Sequence, residues 1–345
     1  MEKCLIKESK RIKILKSENY NFFFDKQTGF FMRWGKTKEE DPKYSKFGPE
    51  IADIEISTIC HGLGKPCTFC YKSNTPKGTY MSLKEFEKIF DKLPKTITQI
   101  AFGIGDIDSN PEMWDIFDYC IIKGVIPNLT INGYGLTDEI AKKLSQKCGA
   151  VAVSHYDDDY CFNAIKKLTD LGMKQINIHK LLSKETINSC YGLVVKAKVD
   201  ERLKKLNAIV FLSLKPKGKR NKLTQLSQKE FTEFSYELIG SKINYGFDSC
   251  TANKFLYAMR GHKDYDKFMT FIEPCESTLF SIYCNVDGEF SPCSFCEGEK
   301  GWEKGKKVEN FSSDIWNSKE FKGFRTKLLK SKCKMGQRKC PMFKV

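Results

Sequence analysis

No stretch of this chain approaches the roughly 20 consecutive apolar residues of a membrane-spanning helix. The start, Met1-Glu2-Lys3-Cys4-Leu5-Ile6-Lys7, has no apolar core of the kind a secretory signal carries. The expectation is therefore a cytoplasmic protein with no membrane partner. No internal repeat appears beyond an alternation of strand and helix patterns. Acidic residues are the scarcer charge, 43 against 58 Lys and Arg, giving a formal net charge of +15. Such an excess admits an anionic partner, but the lysines are scattered through nearly every predicted helix, as on a solvated surface. What is plentiful is cysteine: 15 residues. Without a secretion signal these belong to a reducing compartment, where thiols serve metals or chemistry more often than disulfides. A length of 345 residues with 41% hydrophobic and 13% aromatic content can bury a full-sized core.

From Ile54 to Phe247 short apolar runs alternate with amphipathic helical stretches, the pattern of a parallel sheet wrapped by crossover helices. Candidate strands are 51–57, 97–102, 126–132, 150–154, 175–179, 208–213 and 243–247. Ser82-Leu83-Lys84-Glu85 and Ser227-Gln228-Lys229-Glu230 are capping boxes, the second opening a helix that Gly240 should stop. Pro111 should begin another helix with a stripe of Trp114, Phe117 and Ile121. The fold class is α/β, a partial (β/α)6 TIM-type barrel over 51–248, whose sites would form at the C-terminal ends of the strands. Residues 1–50 read as an N-terminal hairpin extension, with Tyr20 to Phe24 and Phe30 to Trp34 flanking a five-residue loop. Residues 249–345 form a smaller cysteine-rich domain.

Cys60, Cys67 and Cys70 follow the first barrel strand directly. Structural zinc sites are usually closed by four protein ligands, whereas three leave a position open for a substrate or cofactor. Thiolates are also the usual ligands of iron-sulfur clusters. A zinc knuckle completed by His61 is the competing reading.

With Phe69 inside the turn Cys67-Thr68-Phe69-Cys70 and Tyr71 after it, the triplet resembles the cluster loop of radical S-adenosylmethionine (radical SAM) enzymes. The common family spacing C-x3-C-x2-C is C-x6-C-x2-C here, and the insert His61-Gly62-Leu63-Gly64-Lys65-Pro66 carries turn residues. The resemblance implies that Cys60, Cys67 and Cys70 hold a [4Fe-4S] cluster, that S-adenosylmethionine chelates its fourth iron, and that Phe69 lies near the adenine. It further matches Gly103, Gly105 and Asp106 to the segment that binds the methionyl amine, with Asp in place of Glu. Asn132 and Ser154 match cofactor-contacting positions on the next strand ends. His155 and His179 also follow predicted strand ends, where a lone histidine is normally a hydrogen-bonded structural residue.

Near the C-terminus, Cys275, Gly288 and Cys293 have the spacing C-x12-G-x4-C. This resembles the opening of a SPASM or twitch domain, which adds auxiliary iron-sulfur clusters. A further C-x2-C-x5-C-x3-C group, needed for a full SPASM set, is absent from the sequence. The implication is one auxiliary [4Fe-4S] cluster on Cys250, Cys275, Cys293 and Cys340, with Cys333 as the main substitute and Cys284 or Cys296 as outsiders. A structural zinc ribbon is the competing reading, since Cys293-Ser294-Phe295-Cys296 has zinc-like spacing.

The implied activity is reductive cleavage of S-adenosylmethionine to a 5′-deoxyadenosyl radical that modifies a substrate C–H bond, with an electron donor such as flavodoxin or ferredoxin. A peptide or protein is the leading substrate. Radical modification of a nucleotide, nucleic acid or sugar is the alternative, favoured by the basic loop 215–222, which should sit at the barrel mouth and meet an anionic substrate. A non-catalytic zinc protein that binds nucleic acid is the third.

Overall fold

Residues 3–332 and 338–343 are described by a computed structural model. Short runs rich in apolar residues build two sheets. The first is antiparallel: β1 (Leu5–Glu8), β2 (Ile12–Lys16), β3 (Asn21–Asp25) and β4 (Phe31–Trp34), in that order. The hairpin read from the sequence is its β3–β4 half, and β1–β2 extends it. Phe22 and Phe24 of β3 are fully buried, so this sheet packs onto the rest of the chain.

The second sheet carries the barrel. Seven strands run β5 (Ile51–Glu55), β6 (Gln99–Gly103), β7 (Ile126–Ile131), β8 (Ala150–Ser154), β9 (Ile176–Leu182), β10 (Ala208–Ser213) and β11 (Tyr245–Phe247), each paired in parallel with the next. Six helices cross between them: α1 (Leu83–Phe90), α2 (Met113–Ile122), α3 (Asp138–Lys147), α4 (Asp158–Asp170), α5 (Ile187–Val199) and α6 (Gln228–Ser241). One set of strand side chains faces the helices. Phe102 meets Phe117 of α2 at a ring separation of 4.9 Å, and Phe211 meets Phe234 of α6 at 5.0 Å. The alternate set, including Asp53, Ala101, His179 and Leu212, lines a lumen.

Both capping boxes form: Ser82 and Ser227 accept from the backbone of Glu85 and Glu230, whose side chains reach back. Each cap contributes about 1 kcal/mol. Three expectations need correcting. The second boxed helix passes through Gly240 and stops where Lys242 turns left-handed at φ 60°. In α2 the buried face is Met113, Ile116, Phe117 and Cys120, leaving Ile121 outside it. His179 lies within β9, which runs three residues past it.

The C-terminal segment adds α7 (Ala252–Met259), α8 (Tyr265–Phe271), β12 (Ser281–Cys284), β13 (Phe290–Ser291) and α9 (Lys319–Lys330). It does not simply follow the barrel. β12 joins the β5 edge in parallel, pairing Tyr283 with Asp53, and β13 returns antiparallel. The sheet order is thus β11-β10-β9-β8-β7-β6-β5-β12-β13, an open, partial barrel. Among the described residues no helix is long and apolar enough to cross a membrane.

A buried ion cluster fastens the three parts. Arg33 of β4 donates to Glu50 at 2.9 Å and to Glu276 at 2.8 Å, with its guanidinium 3.5 Å from the Phe280 ring centroid. Tyr20 donates to the same Glu50, whose carboxyl burial pushes up to about 7. Removing one member of such a group strands the other charges. Arg33→Ala should therefore destabilise the protein by about 3 kcal/mol, read as a lowered urea midpoint. Adding Glu50→Gln should restore part of the loss, whereas an unchanged midpoint in Arg33→Ala would show that the cluster fastens nothing.

Candidate metal centres and their shared cavity

The cysteine loop begins where β5 ends. Its first turn is held by backbone bonds from Cys60 to Thr75 at 3.0 Å and from Asp106 to Ile59 at 3.1 Å. Gly62 and Gly64 take φ of 64° and 86°, so the longer insert turns back on itself as its glycines suggest. Gly105 is required for a different reason: a Cβ there would collide with the Ile59 carbonyl and press on Cys60. Cys60, Cys67 and Cys70 are half-buried and all line one cavity of about 470 Å³. Burial pushes the Cys60 thiol up to about 12 and raises Cys67, an effect that the nearby Arg220 guanidinium opposes. Any metal bound here would have to displace protons.

Phe69, Gly103, Gly105, Asn132 and Ser154 line the same cavity. Asp106 does not share this placement. Its carboxylate accepts from the His61 backbone N–H at 2.7 Å and lies 2.8 Å from the His61 ring, so it braces the cysteine loop. Tyr156, which the sequence reading passed over, packs its ring 5.3 Å from that of Phe69 and also lines the cavity. His179 lines it too, and burial pushes its imidazole down to about 4, hence neutral. His155 points the other way, to Lys180 at 2.9 Å and Asp158 at 2.8 Å.

The second thiol group gathers residues far apart in sequence. Cys250 and Cys275 each feel the Cys293 thiol electrostatically, and Cys275 also feels Cys340. Burial raises Cys250 and pushes Cys275 up to about 12. Cys296, expected outside the set, lies 3.5 Å from Cys293, and this contact lowers Cys293 and raises Cys296. Cys284 is buried among Glu55, Glu289 and Glu297, apart from the group, and Cys333 lies outside the described residues. Among the described residues no three His, Cys, Asp or Glu side chains close on a single ion-sized point. Both donor sets are thiol-only, and thiolates are the usual ligands of iron-sulfur clusters.

Residues 54–195 match the radical SAM superfamily, and residues 275–341 match the iron-sulfur cluster-binding SPASM domain. The chain is a radical SAM enzyme. Its fold agrees: the structure of Streptococcus suis SuiB bound to precursor peptide SuiA superposes with a TM-score of 0.67 at 12% identity, over 94% of this chain and 92% of that one. Native anSMEcpe with bound AdoMet and Cp18Cys peptide superposes at 0.56 and 16% identity, over 80% and 82%. No curated protein sequence matches. As a member of this superfamily the enzyme uses a [4Fe-4S] cluster with S-adenosylmethionine, and its SPASM domain takes auxiliary iron-sulfur chemistry.

The basic loop of this radical SAM enzyme is not the open cationic mouth that its sequence suggests. Lys215 pairs with Asp248 and lies 4.9 Å from the Phe295 ring centroid. Lys217 donates to the carbonyls of Phe295, at 2.9 Å, and Glu297. Arg220 donates to the carbonyls of Asn74 at 2.8 Å, Ser73 at 3.3 Å and Cys67 at 3.4 Å. A Cβ on Gly218, at φ 104°, would collide with the Cys70 carbonyl. Only Lys219 and Pro216 are exposed between 215 and 220. The loop is a strap that joins the cysteine loop to the auxiliary loop, because Lys217 and Arg220 are committed to carbonyls on the two sides and Lys215 to Asp248, while Lys219 and Lys222 are exposed.

Hydrogen bonds to charged groups are worth about 1.5–3 kcal/mol each in this setting. Arg220→Ala should loosen the first cluster roughly tenfold or more against chelators, and Gly218→Ala should do the same by displacing Cys70. Lys219→Ala should leave cluster retention unchanged. Equal iron retention in all three would show that the strap does not hold the cysteine loop.

Proposed function

We propose that this enzyme modifies a C–H bond in a peptide or protein substrate held between its two cysteine groups. The observation that carries this reading is the shared cavity. Its wall includes Cys60, Cys67 and Cys70 on one side and Ser294 and Phe295, beside Cys293, on the other. When bound, S-adenosylmethionine and its cluster supply a 5′-deoxyadenosyl radical for hydrogen abstraction. The chain's own residues then orient and enclose. Phe69 and Tyr156 offer a ring wall for the adenine, Asn132 and Ser154 offer polar groups beside it, and the backbone at Gly103 and Gly105 allows close approach. Asp106 serves by bracing Cys60 through His61.

Cys250, Cys275, Cys293 and Cys340 are the proposed ligands of one auxiliary cluster, with Cys296 as a fifth thiol able to replace one of them. A peptide substrate is supported by the two superposing structures, each solved with a peptide bound. A polyanionic substrate loses its main support, since Lys215, Lys217 and Arg220 of the basic loop are spent on partners within the protein. An electron donor such as flavodoxin or ferredoxin would deliver the reducing equivalent.

Purified without oxygen, the protein should hold two clusters and release 5′-deoxyadenosine on reduction with S-adenosylmethionine. Replacing Cys60, Cys67 and Cys70 by Ala should remove about half the iron and abolish that release, leaving an auxiliary signal. Full iron retention in the triple variant, or undiminished 5′-deoxyadenosine, would refute the assignment.

A further inference from the structure

The charged side chains that line the cavity are Asp53, Glu55, Lys72, Lys215 and Asp248. Four of them are neutralised within the protein. Lys72 pairs with Glu55 at 3.0 Å and with Glu297, and Lys215 pairs with Asp248. Among the described residues Asp53 is the one of these five whose side chain makes no ion pair or hydrogen bond. It projects from the middle of β5 into the lumen, with Ala101 beside it on β6 and Tyr283 beside it on β12. The small Ala101 leaves the carboxylate uncovered. Asp53 acts electrostatically on Tyr71 and on Cys293, which puts it toward the auxiliary side. Burial pushes its carboxyl up to about 6, so it still ionises at neutral pH.

A half-buried carboxylate in a mainly apolar lumen, without a partner, is costly unless something supplies a cation. The surrounding wall is mainly apolar, with Leu181, Leu212 and Phe295 on it. Apolar walls around one carboxylate complement a side chain with a hydrocarbon stem and a cationic head. We propose that Asp53 is a specificity determinant, receiving a lysine or arginine side chain of the peptide substrate. This rests on the peptide reading above and adds the residue class that enters the cavity.

The test uses cluster-loaded enzyme with S-adenosylmethionine and three probes: N-acetyl-lysine amide, N-acetyl-arginine amide and the uncharged N-acetyl-norleucine amide. Binding is followed by saturation-transfer NMR and calorimetry. At least one cationic probe should bind tenfold or more tighter than the norleucine probe. Asp53→Asn should erase that preference and Asp53→Glu should keep it. Equal binding of all three probes to the native enzyme overturns the inference, and so does an Asp53→Asn enzyme that still prefers a cation. S-adenosylmethionine affinity is measured alongside. If Asp53→Asn loses cofactor affinity in step with probe affinity, the carboxylate belongs to the cofactor and the inference fails. If the native enzyme prefers the cation but forms no 5′-deoxyadenosine, the radical reading fails and the Asp53 assignment stands.

Discussion

One ammonium group holds the working parts together. Lys72, two residues after the last cysteine of the first loop, is gripped by Glu55 from the barrel strand and Glu297 from the auxiliary segment, and it donates to the Tyr283 hydroxyl at 2.7 Å. These partners come from β5, from β12 and from the loop after Cys296. Buried charges tolerate such a setting only when paired with good geometry, so the cluster accepts few alternative arrangements. The consequence is geometric: the first thiol group and the Ser294-Phe295 stretch beside Cys293 line one cavity because the segments carrying them share a counter-ion.

The strap repeats this logic with backbone carbonyls as acceptors. Lys217 holds the auxiliary loop and Arg220 holds the cysteine loop, and Gly218 between them lets the backbones touch. The two loops are thus tied to one short, braced segment. The chain's large positive charge contributes little to this, since most lysines lie elsewhere on the surface. Inside the cavity the balance is reversed, because its cations are matched and one carboxylate is not.

Much of this was legible in the residues. The alternation of apolar runs located all seven barrel strands, and the Ser82 and Ser227 boxes marked two helix starts, because these signals depend on near neighbours. The triplet and Gly105 mark a loop that lines the cavity, although Gly105 is demanded by the Ile59 carbonyl rather than by a ligand. What stayed hidden depends on distant partners. β12 is only four residues long and pairs with a strand some 230 positions earlier, so no local pattern announces it. Composition marks loop 215–222 as basic but cannot say whether its cations meet water or carbonyls. The acids Asp53 and Glu55, at alternate positions of the first strand, were a usable sign of a polar lumen. Their different fates, one paired and one not, were decided by Lys72.

Thiol groups of this kind gather negative charge when they bind metal, since each ligand enters as a thiolate. That charge collects in two half-buried places where solvent screens it poorly. Cations already stand there. Arg220 is close enough to Cys67 to favour its thiolate, and Lys215 does the same for Cys250. Both belong to the strap, so the device that spaces the two centres also offsets the charge each acquires. A neutral strap of the same shape would keep the spacing but leave the thiolates less compensated, which explains why a segment with so many structural contacts is also the most basic run near the cavity.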